Sequence, residues 1–201
     1  SIFNIALGAG GENGSAITDQ HRICIDNIVL EKTSAPEIDV PIGKNLITNS
    51  EFEMSEDGSL AGWENAVTAP GDATFEAGDG KITYSVENVG EADWNIQLKQ
   101  MGLSLEQGES YTLKCTLVSD VDRVVKVAVM TPSAGYAWHG GEDVAGEAKD
   151  ITLTITPKEE VFTDGITVDT GAGLFFSMGY VEGYTLGAHT VSISNVSFVK
   201  N

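Results

Sequence analysis

Apolar residues recur at every second position in one segment of this chain after another. In Ile151-Thr152-Leu153-Thr154-Ile155-Thr156 and in Tyr111-Thr112-Leu113-Lys114-Cys115-Thr116-Leu117 the apolar side chains take one face and the polar ones the other. Successive side chains of an extended backbone point to opposite sides, so this period marks a β-strand with one face on a core. Within 123–130, Val125, Val127 and Val129 oppose Val124, Lys126, Ala128 and Met130 in the same way. Residues 74–77 and 81–87 flank Gly78-Asp79-Gly80, a hairpin signal, because tight hairpin turns need backbone that Gly and Asp tolerate. Further strands are expected at 94–99, 173–180 and 189–199, with a turn at 106–109. Helical spacing is nearly absent: only 57–60 and 142–149 leave room for a helical turn, and 131–146 reads as the longest irregular segment. Roughly nine or ten short strands separated by turn signals predict an all-β fold, an antiparallel two-sheet β-sandwich of the jelly-roll kind.

The ends of the chain resemble each other. His21–Lys32 parallels His189–Lys200, with His, Ile, Asn and Lys identical at matching places. Both copies break alternation at the same point, since the apolar residues run 23, 25, 28, 30 and 191, 193, 196, 198, as a β-bulge would require. Copies at module spacing indicate a tandem repeat. Residues 1–33 are therefore read as the last strands of a preceding sister module, 34–44, with Pro36 and Pro41, as a linker, and 45–201 as a complete module.

Charge removes several classes of partner. With 11 basic and 30 acidic residues the net charge is −19, which repels a phosphate backbone or an anionic lipid surface, so neither nucleic acid nor a membrane is expected. No apolar run approaches the roughly 20 residues that span a bilayer. Cys24 and Cys115 are too few for a disulfide framework or a zinc site and read as buried thiols, with one bridge open if their strands are neighbours. Any secretion signal is expected outside these residues.

The residues suited to a ligand are aromatic and amide side chains. Sugar rings present apolar C–H faces and a rim of hydroxyls, so a site for them needs flat aromatics beside planar donors and acceptors. Trp94 heads a strand in which Asn95, Gln97 and Lys99 form the polar face. Strict alternation puts Trp94 with Ile96 and Leu98 in the core, whereas a strand starting just after it leaves the indole on the open face. Gln97 is either a ligand partner or an ordinary solvent-facing glutamine. Tyr136 and Trp138 lie two apart, so one of them is expected to stack on a ligand. Trp63, after Gly62, reads as a core or rim anchor. There is no Gly-x-Ser-x-Gly, no His-Glu-x-x-His and no Gly-rich phosphate loop, so no enzyme is expected.

Several of these stretches together, Asn45–Glu53 followed by Gly62-Trp63, Trp94-x-x-Gln97 leading to Tyr111, and Phe176–Gly179 with Val191–Val196, resemble carbohydrate-binding modules of the family 4, 9, 16 and 22 group. The resemblance covers about residues 45–200. It implies a β-sandwich whose concave face holds a polysaccharide chain, with Trp94 as a stacking platform, Gln97 as a hydroxyl partner and Tyr136 or Trp138 as the second wall. Arg123 matches a basic residue that enters the groove strand in relatives, with a plain salt bridge as its alternative. Ser177 stands where some xylan-binding relatives carry a His. A structural calcium is implied at Glu51 and Glu53, although Ser194 replaces the expected Asp that Asp26 keeps in the first copy. The resemblance further implies a non-catalytic module, secreted or on a bacterial cell surface, that targets a catalytic domain of the same parent chain to a β-glucan. A catalytic jelly roll, as in a polysaccharide lyase or glucanase, and a structural or adhesion spacer are the alternatives. Exposed aromatics along one face favour binding, and buried ones favour the spacer.

Overall fold

The computed structural model describes residues 38–163 and 165–201. The partial copy at 1–33, with His21, Cys24 and Asp26, lies outside the described residues. Ten strands form among the described residues, in chain order: β1 (Glu64–Val67), β2 (Asp72–Gly78), β3 (Lys81–Asn88), β4 (Ile96–Glu106), β5 (Tyr111–Ser119), β6 (Val124–Thr131), β7 (Ala137–Ala145), β8 (Ala148–Ile155), β9 (Val168–Ser177) and β10 (His189–Lys200). They make two antiparallel five-stranded sheets, β1-β4-β9-β6-β7 and β2-β3-β10-β5-β8. Among the described residues no strand joins the edges of the two sheets, so the sandwich is not closed into a barrel.

The alternation of the sequence accounts for the core. Leu98, Val127 and Phe176 from one sheet meet Tyr84, Leu113, Ile193 and Phe198 from the other, all fully buried. Burying a side chain of this size stabilises by about 1.5–3 kcal/mol. Trp63 is the anchor its position suggests: it is buried, its ring centroid is 5.2 Å from that of Phe52, and Nε1–H donates to Asn49 O at 3.0 Å. The β2–β3 hairpin turns through Asp79 and Gly80, both at positive φ, the mirror-image turn that suits the twist of paired strands. The predicted bulge is present, because the β10–β5 register shifts between Ser194 and Ser197 and Asn195 takes φ 53°. Cys115 is buried on the inner side of β5, which pushes its thiol up to about 12.

Three expectations are corrected. Residues 131–146 are not a long irregular segment: a single 3-10 turn, Pro132–Ala134, leads straight into β7. Residues 142–149 are the end of β7, a turn and the start of β8 rather than helical. Both errors have one cause. Gly140 and Gly141 with His139, Glu142 and Asp143 hide the period of β7, which forms because β6 offers it a full ladder. Asn95, expected on the polar face of a strand, is buried in a 3-10 turn that precedes β4. At the other end of the module, Val40 is buried with its N–H donating to Glu106 Oε1 at 2.8 Å, and Ile42 bridges Lys200, so residues 40–44 run against β10.

Candidate functional site

The turn that carries Trp94 is built before the sheet begins. Asn95 closes it from inside: Oδ1 accepts from the N–H groups of Glu91 at 2.9 Å and Ala92 at 2.8 Å, and Nδ2 donates to Thr68 O at 3.1 Å. A buried amide is satisfied here by backbone alone, so it fixes the turn without contributing to the surface. From the far side, the N–H of Gly179 donates to Asp93 O at 2.8 Å and that of Tyr180 to Ala92 O at 3.1 Å. A Cβ on Gly179 would stand 2.1 Å from Ala92 O, so only glycine permits this approach. With Asn95 turned inward and β4 starting at Ile96, Trp94 is left 54% exposed at the head of the sheet. It is on the open face, not in the core.

Cross-strand register assembles the floor. Gln97 on β4, Ser177 on β9 and Lys126 on β6 are opposite one another, and two residues along the strands Lys99, Phe175 and Ala128 form the next rank. Gln97 Nε2 donates to Ser177 Oγ at 2.9 Å. The Ser177 hydroxyl proton and Gln97 Oε1, which have no other partner among the described residues, are available to a ligand. Lys126 Nζ is 2.9 Å from Asp93 Oδ2, and Asp143 on β7 is its register partner. The hydrogen bond that the lysine donates to Asp93 holds it above its ordinary range.

The opposite wall is aromatic. Gly135 and Tyr136 both adopt left-handed backbone, φ 65° and 60°, where the chain turns from the 3-10 turn into β7. Tyrosine rarely takes that conformation, and here it leaves the side chain 61% exposed. Trp138 follows in β7 opposite Met130, just past a register shift, and is 45% exposed. A Cβ on Gly141 would come within 2.7 Å of Cζ2 and Cη2 of that indole, so the ring lies flat over its own strand. Which of the two aromatics serves was open in the sequence, and both line the same cleft. Trp94, Gln97, Lys126, Tyr136, Trp138 and Ser177 border it, with Ala128 and Met130 beneath, and its volume is about 610 Å³.

Arg123 is not in the cleft. It is 1% exposed, inside the sandwich at the base of β6, because its guanidinium is held by the carbonyls of Met178 and Gly179, by Val124 O and by His189 Nε2. Neither the basic groove residue nor the surface salt bridge describes it. Burial lowers it to about 10. Missing from the sequence reading were Asp93, Lys126 and Asp143. Alternation did put Lys126 on the outward side of β6, but nothing in the sequence brought the two aspartates to it.

The residues implied for calcium meet the structure as follows. Glu51 and Glu53 are exposed on either side of the buried Phe52, and Glu51 O accepts from Gly80 N–H at 3.2 Å. Ser194 pairs with Lys81, the residue after Gly80. Among the described residues no three Asp, Glu, His or Cys side chains gather as a metal site would need. The carboxylate set fits a calcium poorly, and backbone carbonyls would have to complete its six to eight oxygens.

One buried polar group superficially suggests nucleophile chemistry. His139 Nδ1 accepts the N–H of Lys158 at 3.0 Å, so Nε2 carries the proton and donates to Thr131 Oγ1 at 2.8 Å, while the threonine hydroxyl donates to Asp169. A histidine that activates a hydroxyl must accept its proton. This histidine donates instead, and all three residues are buried, so the group is a structural network.

A sandwich with flat, exposed aromatics facing one another across a sheet, and amide and hydroxyl groups between them, defines a carbohydrate-binding class of protein. The chain belongs to the carbohydrate binding domain family CBM_4_9, whose family model matches residues 44–171. Among solved structures it is similar to a CBM4 module, at 17% identity and TM-score 0.60, covering 77% of this chain and 99% of that one. It is also similar to the N-terminal cellulose-binding domain of Cellulomonas fimi β-1,4-glucanase C, at 19% identity and TM-score 0.55, covering 79% and 98%. The second N-terminal cellulose-binding domain of the same glucanase matches at 22% identity and TM-score 0.53, covering 78% and 94%. No curated protein sequence matches the chain. The family supports non-catalytic binding of polysaccharide, and no described helix is long and apolar enough to cross a membrane.

Proposed function

We propose that the module binds a single β-glucan chain in the cleft and, in a secreted or surface-bound parent protein, holds an attached glycoside hydrolase against that substrate. The observation that carries this reading is the exposure of Trp94, Tyr136 and Trp138 around one face, with Gln97 and Ser177 between them. Exposing three large aromatics is costly in water unless something apolar covers them, and the C–H face of a glucose unit does so while its equatorial hydroxyls meet the amide and hydroxyl groups. A spacer module has no use for that arrangement. Two of the similar domains bind cellulose and come from a β-1,4-glucanase, which is the support for a glucan and for a hydrolase as neighbour. Asp93 and Asp143 outnumber Lys126 at the cleft, so a polyuronate would be repelled.

Gel retardation over soluble mixed-linkage glucan, β-1,3-glucan, hydroxyethylcellulose, xylan, mannan and polygalacturonate tests the reading. Retardation by at least one glucan and not by polygalacturonate is expected. Binding to mannan or xylan alone would overturn the glucan reading. A structural calcium beside Glu51 is a separate proposal resting on the sequence motif. Chelation is expected to lower the melting temperature slightly and to leave glucan affinity unchanged, since Glu51 stands against Gly80 in the other sheet.

A further inference from the structure

Arg123 raises a question that the cleft does not answer. A fully buried cation is expensive, and proteins normally give it a carboxylate. Among the described residues Arg123 has none: its hydrogen bonds go to three carbonyls and one imidazole. Two of those carbonyls belong to Met178 and Gly179. The N–H groups of the same segment face the other way, Met178 donating to Ile96 O at 2.8 Å, Gly179 to Asp93 O at 2.8 Å and Tyr180 to Ala92 O at 3.1 Å. Arg123 thus holds from inside the two residues whose outer edge holds the turn bearing Trp94 and Asp93.

The imidazole that completes this grip works in one protonation state. His189 Nδ1–H donates to Gly187 O at 2.8 Å, which leaves the lone pair of Nε2 for the guanidinium. Adding a proton at Nε2 would set N–H against N–H and a second positive charge against a buried one. The charged groups that face His189 are Arg123 itself and Asp120, whose carboxylate is already occupied by the N–H of Thr190 at 2.8 Å.

We propose that Arg123 and His189 form a positioning pair that sets the Trp94 wall of the cleft, so that the wall is in its binding geometry only while His189 is neutral. Burial, the largest influence on the histidine, favours that neutral state at pH 7. Nothing in the pair touches the ligand. Its effect runs through the carbonyls of Met178 and Gly179 to the backbone of Ala92 and Asp93. The consequence for binding rests on the glycan reading of the cleft, whereas the consequence for Trp94 does not.

The experiment therefore reads Trp94 first. In the full chain labelled with 15N, the indole N–H resonance of Trp94, assigned with Trp94→Phe, is followed from pH 8 to pH 5, and the affinity for mixed-linkage glucan is measured over the same range. The resonance is expected to shift with a single titration, with glucan affinity falling about tenfold or more in step while the fold persists. In His189→Gln, which keeps an acceptor for Arg123 but cannot titrate there, the indole is expected to become independent of pH. In Arg123→Lys, which keeps the charge but cannot reach three partners at once, it is expected to shift already at pH 7. An indole that does not move, or one that titrates identically in His189→Gln, overturns the proposal. A titrating indole in a protein that retains no glucan at pH 7 would leave the pair standing and refute the glycan reading instead.

Discussion

The two outer faces of the sandwich differ at equivalent positions. On the sheet with β4, β9 and β6 at its centre, the outward ranks hold Gln97, Ser177, Lys126 and Ala128, with Trp94, Tyr136 and Trp138 around them. On the sheet with β3, β10 and β5 at its centre, they hold Thr83, Ser192, Ser194, Thr116 and Lys114. There the hydroxyls are taken up within the face, Thr83 with Ser192 at 2.8 Å and Thr116 donating to the Asp150 carboxylate at 2.7 Å. The inward positions of both sheets are mostly apolar. A β-sandwich needs only those inward positions to fold, so the outward ones are free to be closed on themselves or left open toward a ligand. In this protein one face is closed and the other is open.

The largest effect that separates the faces is expected at Trp94. Replacing it by alanine should remove about 2 kcal/mol of glucan binding, roughly thirtyfold in affinity, as for a buried aromatic anchor. The melting temperature should hardly change, because the indole is mostly exposed. Calorimetry on a glucan oligosaccharide with a parallel thermal melt checks both. Collapse of the fold would mean that the indole supports the core after all.

Acid comes next, and it tests the two sheets against each other. Each carries a buried histidine, His139 on β7 and His189 on β10, and burial lowers both below the ordinary histidine range. The unfolded chain then binds protons first as pH falls. The stability tied to each neutral ring is complete above about 6.5 and is lost as pH drops from there through the depressed folded value. Relief of self-repulsion in a chain of charge −19 works in the opposite direction, so the comparison must be differential. Melts between pH 7.5 and 5 should show a steeper acid loss in the parent than in His139→Gln. Parallel curves would remove His139 from the account.

The smallest effect is expected on the closed face. Thr83→Ala deletes one partly exposed hydrogen bond and should change stability by no more than about 0.5 kcal/mol and glucan affinity not at all. A change in affinity there would show that the ligand reaches both faces and would end the contrast.

Much of this was legible along the chain. Period-two segments and turn signals marked eight of the ten described strands, and the shared break at 194–197 marked the bulge; β1, only four residues long, is too short to show a period. Gly78-Asp79-Gly80 marked its hairpin. The longer strand that was hidden, β7, has Gly141 bare so that Val127 O and the Trp138 ring can approach it, and a strand built around that contact loses its alternation. The site was legible in its residue types and partly in its positions. Trp94, Gln97, Tyr136 and Trp138 meet at one cleft, whereas Arg123 does not.

Sequence alone determined the all-β class, the apolar positions that make the core and the aromatic residues able to stack on a sugar, because alternation and side-chain chemistry are properties of neighbours along the chain. Tertiary structure decided which side of the sheet Trp94 occupies, through the buried Asn95 and the close approach of Gly179. It also decided that Arg123 turns inward to the carbonyls of Met178 and Gly179, and that Asp93 and Lys126 meet. Those outcomes depend on register between strands tens of residues apart, and register is set by the packing of both sheets at once rather than by any one segment.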